Sequence, residues 1–392
     1  MQPLRQDKPK LLKVPRLLRQ PAATGHGGNR AALAAATGRR PEEILDFSAS
    51  INPLGPPACL RMVINRQLGE LVHYPDPAGR ELVQALAEKH GLAPDGIVPG
   101  NGASELLFAL PRALDCLRAV VLCPAYIDYE TAARRAGLPL DFFPLVPEND
   151  FRPEWQPLAA GLRAGDLVFL GHPNNPTGTL LDRRELLKLV SARPRTFFVV
   201  DESFIEFCED PAAVSLLTAD MPANLVVVRS MTKFYAIPGL RLGFAVAAPA
   251  TAAALRNQLP PWSVNTLALG VGAAVLDDRE YDGRSRAAVR ALRESFAAAL
   301  ADFGHVQVFP SAANSLLLRI DHPDLDGRVL AHRLLVEAGI AIRVCDNYRG
   351  LDKKYFRVAV RTAAENNIFC KALAAIILPA TGRRRRCGSP ST

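Results

Sequence analysis

The chain has 392 residues, of which 49% are hydrophobic and 22% are charged, a balance typical of a soluble globular enzyme. This length is too great for one ordinary core and predicts a large domain with a smaller one. No apolar run reaches the ~18–20 residues that cross a bilayer, so no membrane partner is expected.

The net charge of +8 belongs to the two ends of the chain. Residues 1–25 carry a net +5 and Arg383 to Arg386 add +4, which leaves the remaining residues at −1. We expect residues 1–25 and 381–392 to be solvated basic tails. The body is nearly neutral and holds no nucleic-acid motif, so no nucleic-acid partner is predicted.

Cysteine usage is typical of a reducing compartment. The seven cysteines are odd in number, widely spaced and form no C-x-x-C pair. We therefore expect neither a disulfide framework nor a metal site. The first residues also lack the apolar core of a secretory signal, and together these features favour the cytoplasm.

Predicted elements begin with "HGGN" (26–29) and the turn-rich, extended "DFSASINPLGPP" (46–57). The segment "ELVQALAEKHG" has apolar residues at helical spacing, and Gly91 is placed to end the helix. Four short apolar runs follow: "AVVLC" (119–123), "DLVFLG" (166–171), "TFFVV" (196–200) and "NLVVV" (224–228). Helical segments such as "RRELLKLVSA" lie between them. This alternation predicts an α/β fold with strands buried on both faces of a mainly parallel sheet.

The composition changes beyond about residue 265. "DHPDLDGRVLAHRLLVEAG" and "AAENNIFCKALAAII" are predicted helices, and "HVQVF", "NSLLLRI", "IAIRV" and "FRVAVR" are predicted strands. We therefore predict an N-terminal arm at 26–74 that packs with the small domain. A large domain at 75–264 and a small α+β domain at 265–380 follow it.

Polar clusters follow the predicted strands at the edge where ligands bind in parallel sheets. "PAY", "HPNNPTG", "DESF" and "SMTK" would all meet there. Lys233, beyond a buried strand, would lose its proton easily and could attack an aldehyde. Asp201 directly ends an apolar strand, and a buried carboxylate needs a cation such as a protonated pyridine nitrogen. Asn175 lies on a turn and could donate to a phenolate oxygen, and Tyr126 could lie flat on an aromatic ring.

A second group of residues suits a phosphate. Gly102, Ala103 and Ser104 precede a helical run, and small residues there let backbone N–H groups reach an anion. Ser230 and Arg241 add a hydroxyl and a guanidinium. Each of these residues has an ordinary structural explanation when taken alone. Together with Lys233 they describe a site for pyridoxal 5'-phosphate, which holds the carbanion chemistry itself.

The motifs "HPNNPTG", "DESFIEF" and "SMTKFYAIPGLRLGF" resemble, in this combination, those of the fold type I pyridoxal-phosphate enzymes of the aspartate aminotransferase superfamily. The resemblance covers residues 26 to about 378. It implies a large domain with a mainly parallel sheet and a smaller α+β domain. It also implies a homodimer with shared active sites, in which Tyr74 of "HYPDP" reaches the cofactor phosphate of the neighbouring subunit.

Within that superfamily, "HGGN", "DFSASINPLG" and "FRVAVRT" are similar to the histidinol-phosphate aminotransferase branch and, more narrowly, to the threonine-phosphate decarboxylases of cobalamin biosynthesis. The similarity implies conversion of L-threonine O-3-phosphate to (R)-1-amino-2-propanol O-2-phosphate and CO2. Three alternatives stay open. They are a decarboxylase of L-serine O-phosphate, an aminotransferase for histidinol phosphate or an aromatic amino acid, and a cofactor-binding regulatory or scaffold protein on the same fold.

The resemblance also implies substrate-binding residues. Arg357 matches the arginine that holds the substrate α-carboxylate across the superfamily. Arg361 alternates with it in "FRVAVR", so both are expected on one face of a strand. His26, Asn52 and Arg343 are candidates for the substrate phosphate or for shaping the pocket. Phe204 stands where many members carry a tyrosine, which would leave Asn175 as the main side-chain partner of the cofactor ring oxygen.

Overall fold

The computed structural model describes residues 25–377, so the predicted basic segments lie outside the described residues apart from Gly25. The strands are β1 (Leu45–Asp46), β2 (Ile97–Gly100), β3 (Arg118–Cys123), β4 (Leu140–Pro144), β5 (Asp166–Gly171), β6 (Phe197–Asp201), β7 (Leu225–Ser230), β8 (Gly243–Val246), β9 (Val306–Val308), β10 (Ser315–Ile320), β11 (Ile340–Ala341), β12 (Arg343–Val344) and β13 (Tyr355–Ala359).

The α-helices of the same residues alternate with these strands. They are α1 (Arg30–Thr37), α2 (Leu60–Gln67), α3 (Arg80–His90), α4 (Ala103–Ala113), α5 (Asp128–Arg135), α6 (Trp155–Gly161), α7 (Arg183–Ala192), α8 (Pro211–Val214), α9 (Pro249–Arg256), α10 (Thr266–Val275), α11 (Arg279–Ala301), α12 (Gly327–Ala338) and α13 (Ala363–Ile377). Among residues 25–377, no helix has both the length and the apolar character that a membrane span requires.

The central sheet has the strand order β2-β8-β7-β6-β5-β3-β4. Strands β3 to β7 pair in parallel, whereas β8 runs antiparallel to both β2 and β7. Alternate residues of β5 enter two separate cores, since Val168 packs in one and Leu167 and Phe169 in the other. Both faces of the sheet are therefore covered, which explains the continuous apolar runs. The predicted mainly parallel sheet is confirmed.

A second sheet has the order β12-β13-β10-β9 and is antiparallel throughout. Strand β1 pairs in parallel with β11, with Leu45 opposite Ile340. This pairing joins the N-terminal segment to the C-terminal part of the chain. The domain boundaries given above stay predictions.

Two C-terminal elements differ from their predictions. The helix predicted at 321–339 begins only at Gly327, because the Asp326 carboxylate accepts from the Val329 N–H and caps the helix there, as expected for aspartate at an N-cap. The predicted strand "IAIRV" is divided at Ile342, because β11 pairs with β1 while β12 pairs with β13. Helices α7 and α13 match the predicted segments residue for residue.

Candidate active site

The predicted polar clusters meet at the carboxyl edge of the central sheet. One cavity there is lined by Ser104, Tyr126, Asn175, Asp201 and Lys233, with Ala103 and Phe204 beside them. These residues come from segments that are far apart in the chain, and the parallel strand order brings their ends together. The structure therefore gathers most of the predicted cofactor residues around one space.

Lys233 lies three residues beyond the end of β7. Burial lowers the pKa of its amine to about 8, against the opposing charge of Asp201 and with help from the Arg241 and Arg357 charges. Its Nζ lies 5.0 Å from the centroid of the Phe204 ring. A substantial share of this amine is therefore neutral near pH 8, the state that attacks a carbonyl carbon.

Asp201 ends β6 and is 7% exposed. Its Oδ1 accepts from the Ser203 N–H at 2.9 Å, and its Oδ2 accepts from the Tyr129 hydroxyl at 2.8 Å. Burial, followed by the Asp201 charge, raises the pKa of Tyr129 well above its ordinary value, so this hydroxyl remains a donor. The donors orient the carboxylate and leave it able to meet a cation in the cavity.

Tyr129 is a residue that sequence reasoning missed. Its ring is 1% exposed and stacks on Phe169 with centroids 5.5 Å apart. The carboxylate it contacts lies 72 residues further along the chain. No local pattern around "PAYIDYE" signals such a partner.

Gly102 and Arg241 form the predicted phosphate-binding corner. Gly102 has φ of +80° and immediately precedes α4, and a Cβ there would lie only 2.5 Å from Nη2 of Arg241. The positive φ favours glycine here, and the absence of a Cβ lets the guanidinium approach the helix N-terminus. The Ser230 hydroxyl lies 2.8 Å from that of Thr232, a residue the sequence prediction did not include. N–H groups, a guanidinium and hydroxyls are a donor set that fits a phosphate.

Asn175 is oriented by its neighbours. Its Oδ1 accepts from Nη1 of Arg357 and from the Tyr348 hydroxyl at 3.3 Å. Because the oxygen is occupied, the amide presents its Nδ2 donors to an acceptor in the cavity, an assignment made from the hydrogen-bond network. Tyr348 is a second contact that the sequence did not reveal.

His26 lies beside the ring of Tyr126. The two ring centroids are 5.5 Å apart, and Nε2 of His26 is 3.2 Å from a carboxylate oxygen of Asp128. The Gly28 N–H donates to the Ser48 hydroxyl at 2.9 Å, which holds the "HGGN" segment in place. His26 thus packs beside Tyr126, which lines the cavity, and its role in the pocket stays a prediction.

Arg343 and Arg357 form a cross-strand pair. They are direct partners in the antiparallel β12–β13 register, so their side chains leave the same face. Arg357 donates to the Ser48 carbonyl at 2.9 Å, and Arg343 donates to the Asn347 side chain at 2.8 Å and to the Gly25 carbonyl. Within the described part of the chain, neither guanidinium has a carboxylate oxygen within 4.0 Å. The Nε of Arg357 is buried with no partner among those residues.

Arg361 differs from its prediction. Strand β13 ends at Ala359, so Arg361 lies two residues beyond the strand on which it was expected. Its guanidinium pairs with Glu365 one helical turn on, at 2.7 Å. The pair neutralises much of the charge that an anionic substrate would need. The strand ends because Asn366 and Glu365 engage the backbone at 361–362 and start α13.

Asn52 and Tyr74 also have unexpected surroundings. The Asn52 amide is 3% exposed and donates to the Phe234 carbonyl at 2.9 Å, which favours a structural role over the predicted substrate contact.

Tyr74 is 80% exposed and stacks on Trp262 with centroids 4.6 Å apart. It is not among the residues that line the cavity of its own chain.

The fold and this arrangement of lysine, aspartate and phosphate-binding corner define a fold type I pyridoxal-phosphate enzyme, with pyridoxal 5'-phosphate as its cofactor. The phosphate-binding corner and the lysine–aspartate pair both fit that cofactor. The chain belongs to the family of aminotransferase class I and II, whose family model matches residues 42–373.

Individual relatives narrow the comparison. The chain is 38% identical over 358 residues to a threonine-phosphate decarboxylase of Salmonella typhimurium, covering 89% of this chain and 96% of that protein. It is 37% identical over 369 residues to the adenosylcobalamin biosynthesis bifunctional protein CobDQ of Leptospira interrogans. That match takes in 93% of this chain and spans 42% of that relative's length. The crystal structure of a histidinol-phosphate aminotransferase from Clostridium acetobutylicum is similar with a TM-score of 0.78 and 30% identity, over 85% of this chain and 99% of that one.

Proposed function

We propose that the protein is a pyridoxal-phosphate-dependent decarboxylase that converts L-threonine O-3-phosphate to (R)-1-amino-2-propanol O-2-phosphate and CO2 in cobalamin biosynthesis. The proposal rests above all on the cross-strand pair Arg343 and Arg357. Like charges directly opposite on one face repel each other. Among the described residues, the hydrogen-bond acceptors of this pair are carbonyl and amide oxygens, and Cζ of Arg343 lies 5.0 Å from the centroid of the uncharged Tyr348 ring. A substrate with both a carboxylate and a phosphate would neutralise both. Similarity to the Salmonella decarboxylase supports the same substrate.

The cofactor residues are assigned from their positions around the cavity. We assign Lys233 to covalent attachment, Asp201 to the pyridine nitrogen, Asn175 to the ring oxygen and Tyr126 to the ring face. The phosphate is assigned to Gly102, Ala103, Ser104, Ser230 and Arg241, with Tyr74 of a second subunit. When bound, pyridoxal phosphate supplies an electron sink for bonds at the substrate Cα.

The protein's own groups orient the substrate and move a proton. Arg357 is assigned to the carboxylate, and Arg343 with His26 to the phosphate, so that three points set the rotation about Cα. Arg361, whose charge is paired with Glu365, is not assigned to either substrate anion. Lys233, with a pKa of about 8, can hold a proton near neutral pH and return it to Cα once CO2 has left.

An aminotransferase acting on histidinol phosphate is the second candidate, favoured by the similarity to the Clostridium acetobutylicum structure. Two incubations of the purified holoenzyme separate the candidates. L-threonine phosphate should release CO2, while histidinol phosphate with 2-oxoglutarate should give no glutamate. Glutamate formation without CO2 release would overturn the decarboxylase proposal. L-serine O-phosphate, which lacks one methyl group, should be used with a kcat/KM lower by about 10- to 200-fold, as expected for loss of ~1–3 kcal/mol.

We also propose a homodimer. Exposed large apolar side chains are concentrated in residues 54–74, and Trp262 stacks on the predicted interface residue Tyr74. The exposed members of that segment are Leu54, Met62, Leu68, Leu71, Val72 and Tyr74. Contiguous exposed apolar side chains mark interaction surfaces. Sedimentation equilibrium should give twice the chain mass, and Tyr74→Ala should weaken cofactor binding more than it weakens dimerisation. A monomer that keeps full activity would refute the shared site.

We also propose that the protein is located in the cytoplasm. The six cysteines of the described residues are free thiols, and burial raises the pKa of Cys116, Cys123, Cys208 and Cys345 to about 12. Such thiols are poor nucleophiles and are suited to packing. Thiol trapping in intact cells should recover all of them reduced.

A further inference from the structure

A buried side chain from the N-terminal segment holds the loop that carries Lys233. The backbone N–H of Asn52 donates to the Lys233 carbonyl at 3.0 Å. Its Nδ2 donates to the carbonyl of the next residue, Phe234, at 2.9 Å. One residue therefore bonds two successive carbonyls, including that of the attachment lysine itself.

The amide of Asn52 can take only one orientation. Its Oδ1 accepts from the Leu54 N–H at 3.0 Å, while Nδ2 faces the Phe234 carbonyl, the Tyr281 hydroxyl at 3.0 Å and the Ser285 hydroxyl at 2.9 Å. A carbonyl oxygen can only accept, so a flipped amide would oppose two oxygens at Phe234. The two Nδ2 hydrogens therefore serve Phe234 and one of the two hydroxyls.

Tyr281 completes the contact from the other side. Its hydroxyl donates to the Gly55 carbonyl at 2.7 Å and lies 3.0 Å from the Phe234 carbonyl. Its ring is 1% exposed and packs against Phe234 and Tyr235, with centroids 6.0 and 5.9 Å apart. The Asn52 side chain, the Tyr281 hydroxyl and the carbonyls of Phe234 and Gly55 thus form one hydrogen-bonded cluster.

The lysine loop needs such support. Ala236 in this loop has φ of +51°, a left-handed conformation that persists in a non-glycine residue only when its surroundings impose it. No hydrogen bond within residues 25–377 involves the Lys233 amine, whose Nζ lies 5.0 Å from the centroid of the Phe204 ring. The backbone position at Lys233 therefore sets the point from which its side chain reaches the cavity.

We propose that Asn52 and Tyr281 are positioning residues for Lys233, which set the place and the direction of its amine through the carbonyls of the loop. The inference rests on the assignment of Lys233 as the attachment residue. It replaces the predicted substrate contact of Asn52 with a contact to the catalytic loop. It also connects the N-terminal segment, which carries His26 near the cavity, to the position of the lysine.

Asn224 offers a matched control. It is also a buried asparagine, 8% exposed, and its Nδ2 lies within 2.9–3.1 Å of three backbone carbonyls. It immediately precedes β7, at the opposite edge of the sheet from Lys233. Asn52→Ala and Asn224→Ala should lower the melting temperature of the holoenzyme by similar amounts, because each strips one buried amide from carbonyl partners.

Three readouts distinguish positioning from stability. In Asn52→Ala, we expect amide hydrogen exchange in the peptide covering 231–237 to rise at least 10-fold. The pH midpoint of the cofactor absorbance change should shift by at least half a unit. The kcat should fall at least 10-fold, with KM within threefold of wild type. In Asn224→Ala, all three should match wild type.

Other outcomes overturn the proposal. An Asn52→Ala protein with a lowered melting temperature but wild-type exchange and absorbance titration would show a role in stability alone. If Asn52→Ala does not fold, Tyr281→Phe removes one hydroxyl and keeps the ring. It should move exchange and absorbance in the same direction, and no movement would refute the inference. Borohydride labelling of wild-type Lys233 tests the cofactor assignment separately. The label reports covalent attachment at Lys233, whereas amide hydrogen exchange in residues 231–237 reports the stability of the loop and needs no substrate.

Discussion

Replacing Arg357 with lysine tests the substrate assignment most directly. Arg357 is 7% exposed, it donates to Asn175 and to the Ser48 carbonyl, and its buried Nε has no partner among the described residues. Lysine would keep the positive charge but could not contact both substrate carboxylate oxygens in the planar, two-pronged geometry of a guanidinium. The loss of one charged hydrogen bond is about 1.5–3 kcal/mol, which corresponds to a decrease of about 10- to 150-fold in kcat/KM.

The assay is CO2 release from L-threonine phosphate by the holoenzyme, with kcat and KM determined separately. Arg319→Lys is the matched control, because Arg319 lies on β10, in the same sheet, with a side chain that is 35% exposed and a surface partner in Asp321. We expect the control to stay within about twofold of wild type, since exposed ion pairs contribute little. If Arg357→Lys also stays within threefold, the assignment of Arg357 to the carboxylate is wrong.

Three further predictions follow from the same site. Tyr129→Phe removes the donor to Asp201 but keeps the ring stacked, so kcat should fall by about 10-fold or more, from ~1.5–3 kcal/mol, with little change in melting temperature; unchanged kcat would argue against any role for the hydroxyl. The pKa of Lys233 is about 8 against an ordinary value of 10.5, so the cost of burying the ammonium is fully present below pH 8. Between pH 8 and 10.5 the unfolded chain holds more protons, and the cofactor-free protein should gain stability relative to Lys233→Met as pH rises. The prediction would be contradicted if the difference in urea midpoint between the two proteins were the same at pH 7 and at pH 9.5. Phe204→Tyr should lower the pH midpoint of the cofactor absorbance change by about one unit, the equivalent of one hydrogen bond; a midpoint that stays or rises rejects the idea.

Sequence patterns predicted the central sheet because its strands are buried on both faces. The apolar run "DLVFLG" coincides with β5, and every residue of that strand is buried. Residues such as Asp201 and Lys233 were predictable for a related reason, because a charged side chain next to a buried strand has few physical explanations. The motifs around them then supplied the cofactor.

Other features could not be predicted because their causes lie far away in the chain. Asn52 appears in a turn-rich segment, yet its amide serves a carbonyl 182 residues further on. The division of "IAIRV" depends on β1, which is only two residues long. Arg361 leaves its predicted strand because of Glu365 and Asn366, which begin the next helix. In each case a distant or competing partner outweighs the local pattern.

The pairing of Arg343 with Arg357 also affects which amino acids the enzyme rejects as substrates. An unphosphorylated amino acid could neutralise the buried Arg357 but would leave the partly exposed Arg343 without a counterion. Such a molecule would therefore be rejected mainly because of its missing charge. The same feature makes simple oxyanions natural competitors. Sulfate and inorganic phosphate should inhibit by occupying the empty half of the pair, and raised ionic strength should narrow the preference for phosphorylated substrates.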